Sequence, residues 1–159
     1  MARTNYWFYE RGEGDPDPAP LTMKSLMVSN PAALRPTDLV MDAIKLFKER
    51  EIRHVPIVGD ERKVVGMLTE TDILRNVLHG RTMTRDEEYH ATMDMLLPIG
   101  EVMVREVATL PPDAKVAEAV EIFLKRKVRC IPIVDGDRAL VGIVTETDLL
   151  HLFQHMISD

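Results

Sequence analysis

Apolar positions in this chain recur at two periods, and each period marks a kind of element. In one stretch they fall at Val40, Ala43, Ile44 and Phe47, and in another at Val116, Ala119, Val120 and Phe123. Spacing of i, i+3, i+4, i+7 lays these side chains along one face, so each stretch is expected to be an amphipathic helix. Thr37 with Asp38, and Asp113, stand where the two N-caps are expected. Short unbroken apolar runs at 55–58 and 64–68, then at 131–134 and 140–144, read as strands. Turns rich in Gly, Asp and Arg join each pair, which predicts two hairpins. Ahead of each helix, Ala32-Ala33-Leu34 and Val107-Ala108-Thr109-Leu110 read as short strands stopped by Pro36 and by Pro111-Pro112. A last helix opens at Thr69 and again at Thr145. The order β-α-β-β-α therefore occurs twice.

The sequence itself repeats. Shifted by 76 positions, Ile52-Arg53-His54-Val55-Pro56-Ile57-Val58 falls on Val128-Arg129-Cys130-Ile131-Pro132-Ile133-Val134. The same shift lays Val65-Gly66-Met67-Leu68-Thr69-Glu70-Thr71-Asp72 on Val141-Gly142-Ile143-Val144-Thr145-Glu146-Thr147-Asp148, and Met27 on Met103. A unit of about 55 residues is small for an independent core, so the two copies are expected to share one. The organisation expected from the chain is an amino-terminal arm and linker at 1–20, a first repeat at 21–79, a connector at 80–97, a second repeat at 98–155 and a tail at 156–159. The arm holds Tyr6-Trp7-Phe8-Tyr9, half of the aromatic residues, followed by a linker of Pro, Gly and charge over 10–20. It is read either as packing on its own module or as docking on a partner or second subunit. The segment 81–97 suits a helical connector.

Composition narrows the classes. The 159 residues carry 26 acidic and 20 basic side chains, a net charge of −6, so a broad basic surface for nucleic acid or anionic membrane is not expected. No apolar run approaches the roughly 20 residues that span a bilayer, and the start has no apolar segment of signal-peptide type. A cytoplasmic location is the expectation. The single cysteine, Cys130, excludes an internal disulfide framework and a thiolate metal cage.

The candidate chemistry sits where the second strand of each hairpin meets the last helix. Gly66 and Gly142 remove a side chain where a ligand would have to approach the backbone. Thr69 and Thr145 put a hydroxyl at a helix start, a place favourable to an anion. Asp72 and Asp148 follow three residues on, each with two acceptor oxygens for the two hydroxyls of a ribose. The same Thr-x-x-Asp pattern is also a capping box that needs no ligand, and both roles can coexist. Other features carry less. His151 and His155 lie at i, i+4 with no third metal ligand, Cys130 reads as a small buried hydrophobe, and Glu70 and Glu146 have no nucleophile beside them. No catalytic residue and no metal site is assigned.

Two copies of Arg-x-h-Pro-h-Val followed by Val-Gly-h-h-Thr-x-x-Asp resemble a tandem pair of CBS domains, a Bateman module, over roughly 21–153. The resemblance implies an α/β (α+β) fold of two β-α-β-β-α repeats packed with pseudo-two-fold symmetry. It implies clefts between the repeats for adenosine-containing ligands: AMP, ADP or ATP, or S-adenosylmethionine or NAD. By position, Thr145 and Asp148 would face Ala32, Arg53 and His54, while Thr69 and Asp72 would face Ala108, Arg129 and Cys130. The Asp148 cleft, with Arg53 and His54, is expected to bind a phosphorylated ligand more tightly. The family often has Ser or Thr just before the first helix, where this chain has Asp38 and Ala114, which leaves the phosphate count and any Mg²⁺ open. A sensor passing a conformational change to a protein partner, and a homodimer, are expected rather than an enzyme. The alternative is an interaction module with empty clefts.

Overall fold

A computed structural model describes residues 21–78 and 95–158. Among them, α1 (Met23–Leu26), β1 (Val28–Ser29), α2 (Val40–Arg50), β2 (His54–Val58), a 3-10 turn (Asp60–Arg62), β3 (Val64–Thr69) and α3 (Glu70–Leu78) cover the first repeat. The second has α4 (Ile99–Val102), α5 (Val116–Arg126), β4 (Cys130–Val134), β5 (Leu140–Thr145) and α6 (Glu146–Ser158). The α/β class and the α-β-β-α part of each repeat match the expectation from periodicity.

The helices form where the apolar stripe demanded them. Val40, Ala43 and Phe47 of α2 are buried, as are Ala119 and Phe123 of α5. Their N-caps differ from the expected residues. Leu39 and Lys115 occupy the cap positions, and the carboxylates of Asp42 and Glu118 reach back to accept their backbone N–H groups at 2.9 Å each. Asp38 is used one step earlier, its Oδ2 accepting the Arg35 N–H at 2.7 Å to close a turn. Both helices end on a non-glycine residue in the left-handed region, Glu51 at φ 52° and Lys127 at φ 53°.

Strand β2 pairs antiparallel with β3, with His54 opposite Thr69 and Ile57 opposite Gly66. The second sheet runs β1-β5-β4. The strands expected at 32–34 and 107–110 shrink to single parallel bridges, Leu34 to Ile57 and Leu110 to Ile133, because the following prolines end the extended run. Pro56 and Pro132 take part as acceptors, receiving the Leu34 N–H at 3.1 Å and the Leu110 N–H at 3.2 Å.

Compact units do not follow the order of the chain. One comprises 21–31, 108–136 and 141–158; the other comprises 32–78, 95–107 and 137–140. The leading segment of each repeat thus belongs with the body of the other. In the first unit, Met23 N–H donates to Ala114 O at 2.9 Å, Lys24 N–H to Pro112 O at 2.8 Å, and β1 pairs with β5 through Val28–Ile143 and Ser29–Gly142. In the second, Ile99 N–H donates to Asp38 O at 2.7 Å, Gly100 N–H to Pro36 O at 2.8 Å, and Val104 bridges Met67. These units do not coincide with the repeat boundaries expected at 21–79 and 98–155. The physical reason is backbone pairing: β1 finds its ladder on the second repeat's hairpin, and Val104 bridges Met67 on the first repeat's. The expected arm, the linker and most of the expected helical connector lie outside the described residues; 95–97 form a turn, not a helix.

Each unit has its own apolar core. One gathers Met23, Leu26, Phe123, Ile131, Ile133, Val144 and Leu152; the other gathers Val40, Phe47, Val55, Ile57, Leu68, Ile73 and Ile99. Met23 and Leu26, from the exchanged segment, are 0% and 2% exposed, so α1 is an integral part of the core it joins. Fully burying a side chain of this size contributes about 1.5–3 kcal/mol relative to leaving it exposed.

Candidate functional site

In both units the second hairpin strand runs directly into a helix, and the junction is closed by the Thr/Asp pair. Thr69 N–H donates to Asp72 Oδ2 at 3.0 Å, the Thr69 hydroxyl donates to the same oxygen at 2.7 Å, and Asp72 N–H donates back to Thr69 Oγ1 at 3.1 Å. The second copy repeats this, with Thr145 N–H and Oγ1 donating to Asp148 Oδ2 at 2.7 and 2.8 Å, and Asp148 N–H to Thr145 Oγ1 at 3.4 Å. These are capping boxes, with Thr as N-cap and Asp at the third helical position.

That geometry changes the available chemistry. Each threonine gives its hydroxyl proton to its own aspartate, so it cannot donate that proton to a phosphate. Each aspartate spends Oδ2 on the cap and leaves Oδ1, which accepts no hydrogen bond among the described residues. A ribose would thus meet one carboxylate oxygen per site, where two were expected. The first helical N–H is also used: Glu70 donates to Arg53 O at 3.1 Å and Glu146 to Arg129 O at 3.2 Å. The next amides, of Thr71 and Thr147, have no protein acceptor among the described residues. An acceptor oxygen and a helix-start donor therefore sit half-exposed at each junction, a pairing suited to a ligand carrying both hydroxyls and negative charge.

The strand pairing also fixes which candidates are neighbours within a unit. Arg53 and His54 stand beside Thr69 and Asp72, because His54 is opposite Thr69 in the hairpin. Arg129 and Cys130 stand with Thr145 and Asp148 in the other unit. Both arginines are exposed; Arg53 Nε lies 3.8 Å from Glu70 Oε2, a loose surface pair. His54 is half-buried, whereas the aligned Cys130 is buried. Burial pushes the Cys130 thiol well above its ordinary range, and the Asp148 charge adds to the effect, so this sulfur is a neutral, inert group. Ala32 is exposed and Ala108 half-buried, each ahead of a single-residue bridge.

Gly66 and Gly142 have a different reason from the one the sequence suggested. A Cβ on Gly66 would stand 2.5 Å from Met103 Sδ and 3.1 Å from Val104 O. On Gly142 it would collide with Met27 Sδ. The missing side chain therefore makes room for a methionine of the exchanged segment, and both glycines are buried. The equal spacing of Met27 and Met103 was visible in the sequence, but not that each would cross to the other repeat's glycine. Among the described residues no group of three or more His, Cys, Asp or Glu is placed to hold a metal ion. None of their helices is long and apolar enough to cross a membrane.

Comparison with known proteins places this geometry. The CBS domain profile matches twice, at residues 23–79 and 99–155. Among solved structures, the CBS domain pair of protein MJ0100 in complex with 5′-methylthioadenosine and S-adenosyl-L-methionine is 28% identical, with a TM-score of 0.71, covering 87% of this chain and 99% of that one. An acetoin utilization protein of Vibrio cholerae is 26% identical with a TM-score of 0.73, covering 88% of this chain and 95% of that one. Inosine-5′-monophosphate dehydrogenase of Aquifex aeolicus is 31% identical over 128 residues, 80% of this chain but 23% of the enzyme. The chain spans about a quarter of the length of this relative and of a homoserine O-acetyltransferase of Methanohalobium evestigatum. Two profile matches over the two repeats, with a shared fold across nearly the whole chain, establish that the chain belongs to the CBS-domain family and carries two CBS domains in tandem.

Proposed function

We propose that this chain is a regulatory module that binds an adenosine-containing ligand and passes the resulting conformational change to a protein partner. The observation that carries the reading is the likeness to a CBS pair bound to methylthioadenosine and S-adenosylmethionine, joined here to two Thr/Asp junctions that each keep one carboxylate oxygen unbonded. In this reading Asp72 Oδ1 and Asp148 Oδ1 accept from ribose hydroxyls. The Thr71 and Thr147 amides and the exposed Arg53 and Arg129 attract the charged end of the ligand. Within one unit Arg53 and His54 accompany Thr69 and Asp72, and within the other Arg129 and Cys130 accompany Thr145 and Asp148. AMP, ADP and ATP are the first candidates, and the output is mechanical rather than catalytic. A ligand can shift the module only as far as it binds one arrangement better than another.

A thermal-shift panel of AMP, ADP, ATP, S-adenosylmethionine and NAD, each with and without Mg²⁺, tests this. A ligand at 100 times its Kd adds about 2.7 kcal/mol. A flat panel would leave the second reading, an assembly module with empty clefts. One observation favours that reading: Leu150, Phe153, Met156 and Ile157 form an apolar stripe on α6 and are 58–66% exposed. Homodimerisation through this helix face is compatible with both readings.

A further inference from the structure

We propose that Met27 is an oxidation-sensitive clasp holding the exchanged leading segment to the second repeat. The inference goes beyond ligand binding and does not depend on it. Met27 follows α1 and precedes β1, and its thioether sulfur occupies the space over Gly142 that any side chain would fill. Met103 does the same over Gly66 in the other unit. The two sulfurs share a role but not an environment. Met103 is 8% exposed and counts among the buried residues of its core, whereas Met27 is half-buried at the margin of its own. Peroxide therefore reaches Met27 more readily.

The chemistry is a two-electron oxygen transfer. A sulfur lone pair attacks one oxygen of hydrogen peroxide, the O–O bond breaks, and the other oxygen leaves as water after proton transfer. The thioether becomes a sulfoxide and the peroxide is reduced. The added oxygen is polar and needs room, and the sulfur already rests against the Gly142 backbone. The sulfoxide cannot keep this seat, and Ser29 loses its register opposite Gly142. Met23 and Leu26 remain anchored in the core, so the change is release of β1 rather than global unfolding.

The test is graded peroxide oxidation of the full chain, read by peptide mass spectrometry, hydrogen exchange and thermal unfolding. Met27 should oxidise after the exposed Met41, Met95 and Met156 but well before Met23 and Met103. Loss of amide protection in 28–30 should track Met27 sulfoxide, with a fall in Tm of roughly 3–8 °C. In the unoxidised state M27L should keep most of its stability, and peroxide should then leave its Tm and its 28–30 protection unchanged. Should the leucine branch disturb the seat, the correlation between Met27 sulfoxide and β1 exchange in the unaltered protein decides the matter. Met27 oxidised without loss of β1 protection, or oxidised no faster than Met103, overturns the proposal.

Discussion

Asp148 caps α6, and under the proposed function it also holds the ligand, two roles that different substitutions separate. Asn keeps a carbonyl oxygen to accept the Thr145 N–H and hydroxyl, but turns the outward oxygen into an amide donor. Asp148→Asn should therefore leave unliganded stability within about 0.5 kcal/mol and weaken adenosine-ligand binding at least tenfold, about 1.4 kcal/mol. Asp148→Ala should lose binding and also about 1 kcal/mol of stability through the cap, measurable by urea denaturation. Cys130 gives a pH prediction with a definite sign. Its thiol is raised in the folded state, so above the ordinary thiol range the unfolded chain sheds a proton that the folded chain keeps. The folded state then binds more protons, and stability falls as pH rises past about 9, the ordinary value. Cys130→Val should flatten that part of the decline, and a thiol reagent should label the native protein far more slowly than the unfolded one.

Elements were legible wherever a period was strong enough. Both amphipathic helices, both hairpins and the helix starts at Thr69 and Thr145 followed from side-chain spacing alone. What the spacing could not show was carried by backbone. Leu39 and Lys115 act as N-caps because the partner carboxylate comes from the third helical position, a reversal of the expected donor and acceptor. β1 has two residues, too few for any alternation, and its ladder lies on the other repeat. The Thr/Asp pattern was legible, but the commitment of Oδ2 to the cap, which leaves Oδ1 over, depends on distances near 3 Å. Helix ends offer a direct check on this local physics. Lys127 sits at φ 53° with no glycine to ease it. Lys127→Gly should raise stability by roughly 0.5–1 kcal/mol, as should Glu51→Gly at the equivalent end of α2, both read from denaturant midpoints.

At the scale of the molecule, duplication explains more than any single site. Two repeats exchange their leading segments, so neither core is complete without chain from both. Cutting between the repeats should therefore yield fragments that lack part of their own core. The α6 stripe of Leu150, Phe153, Met156 and Ile157 is where a second copy would bury apolar surface. A Leu150→Lys, Phe153→Glu double variant should be monomeric in light scattering and keep its thermal midpoint at low concentration. A variant that remains dimeric would move the proposed interface elsewhere.

The central claim is that the two Thr/Asp junctions grip adenosine-containing ligands. Isothermal titration of the dialysed full chain with AMP and with S-adenosylmethionine, repeated on an Asp72→Asn, Asp148→Asn double variant, measures it most directly. The account predicts saturable binding of at least one ligand by the unaltered chain, and loss of at least tenfold in affinity by a variant that still unfolds at the same temperature. Equal binding by both proteins, or heat of dilution alone from the unaltered chain across the adenosine series, would contradict it.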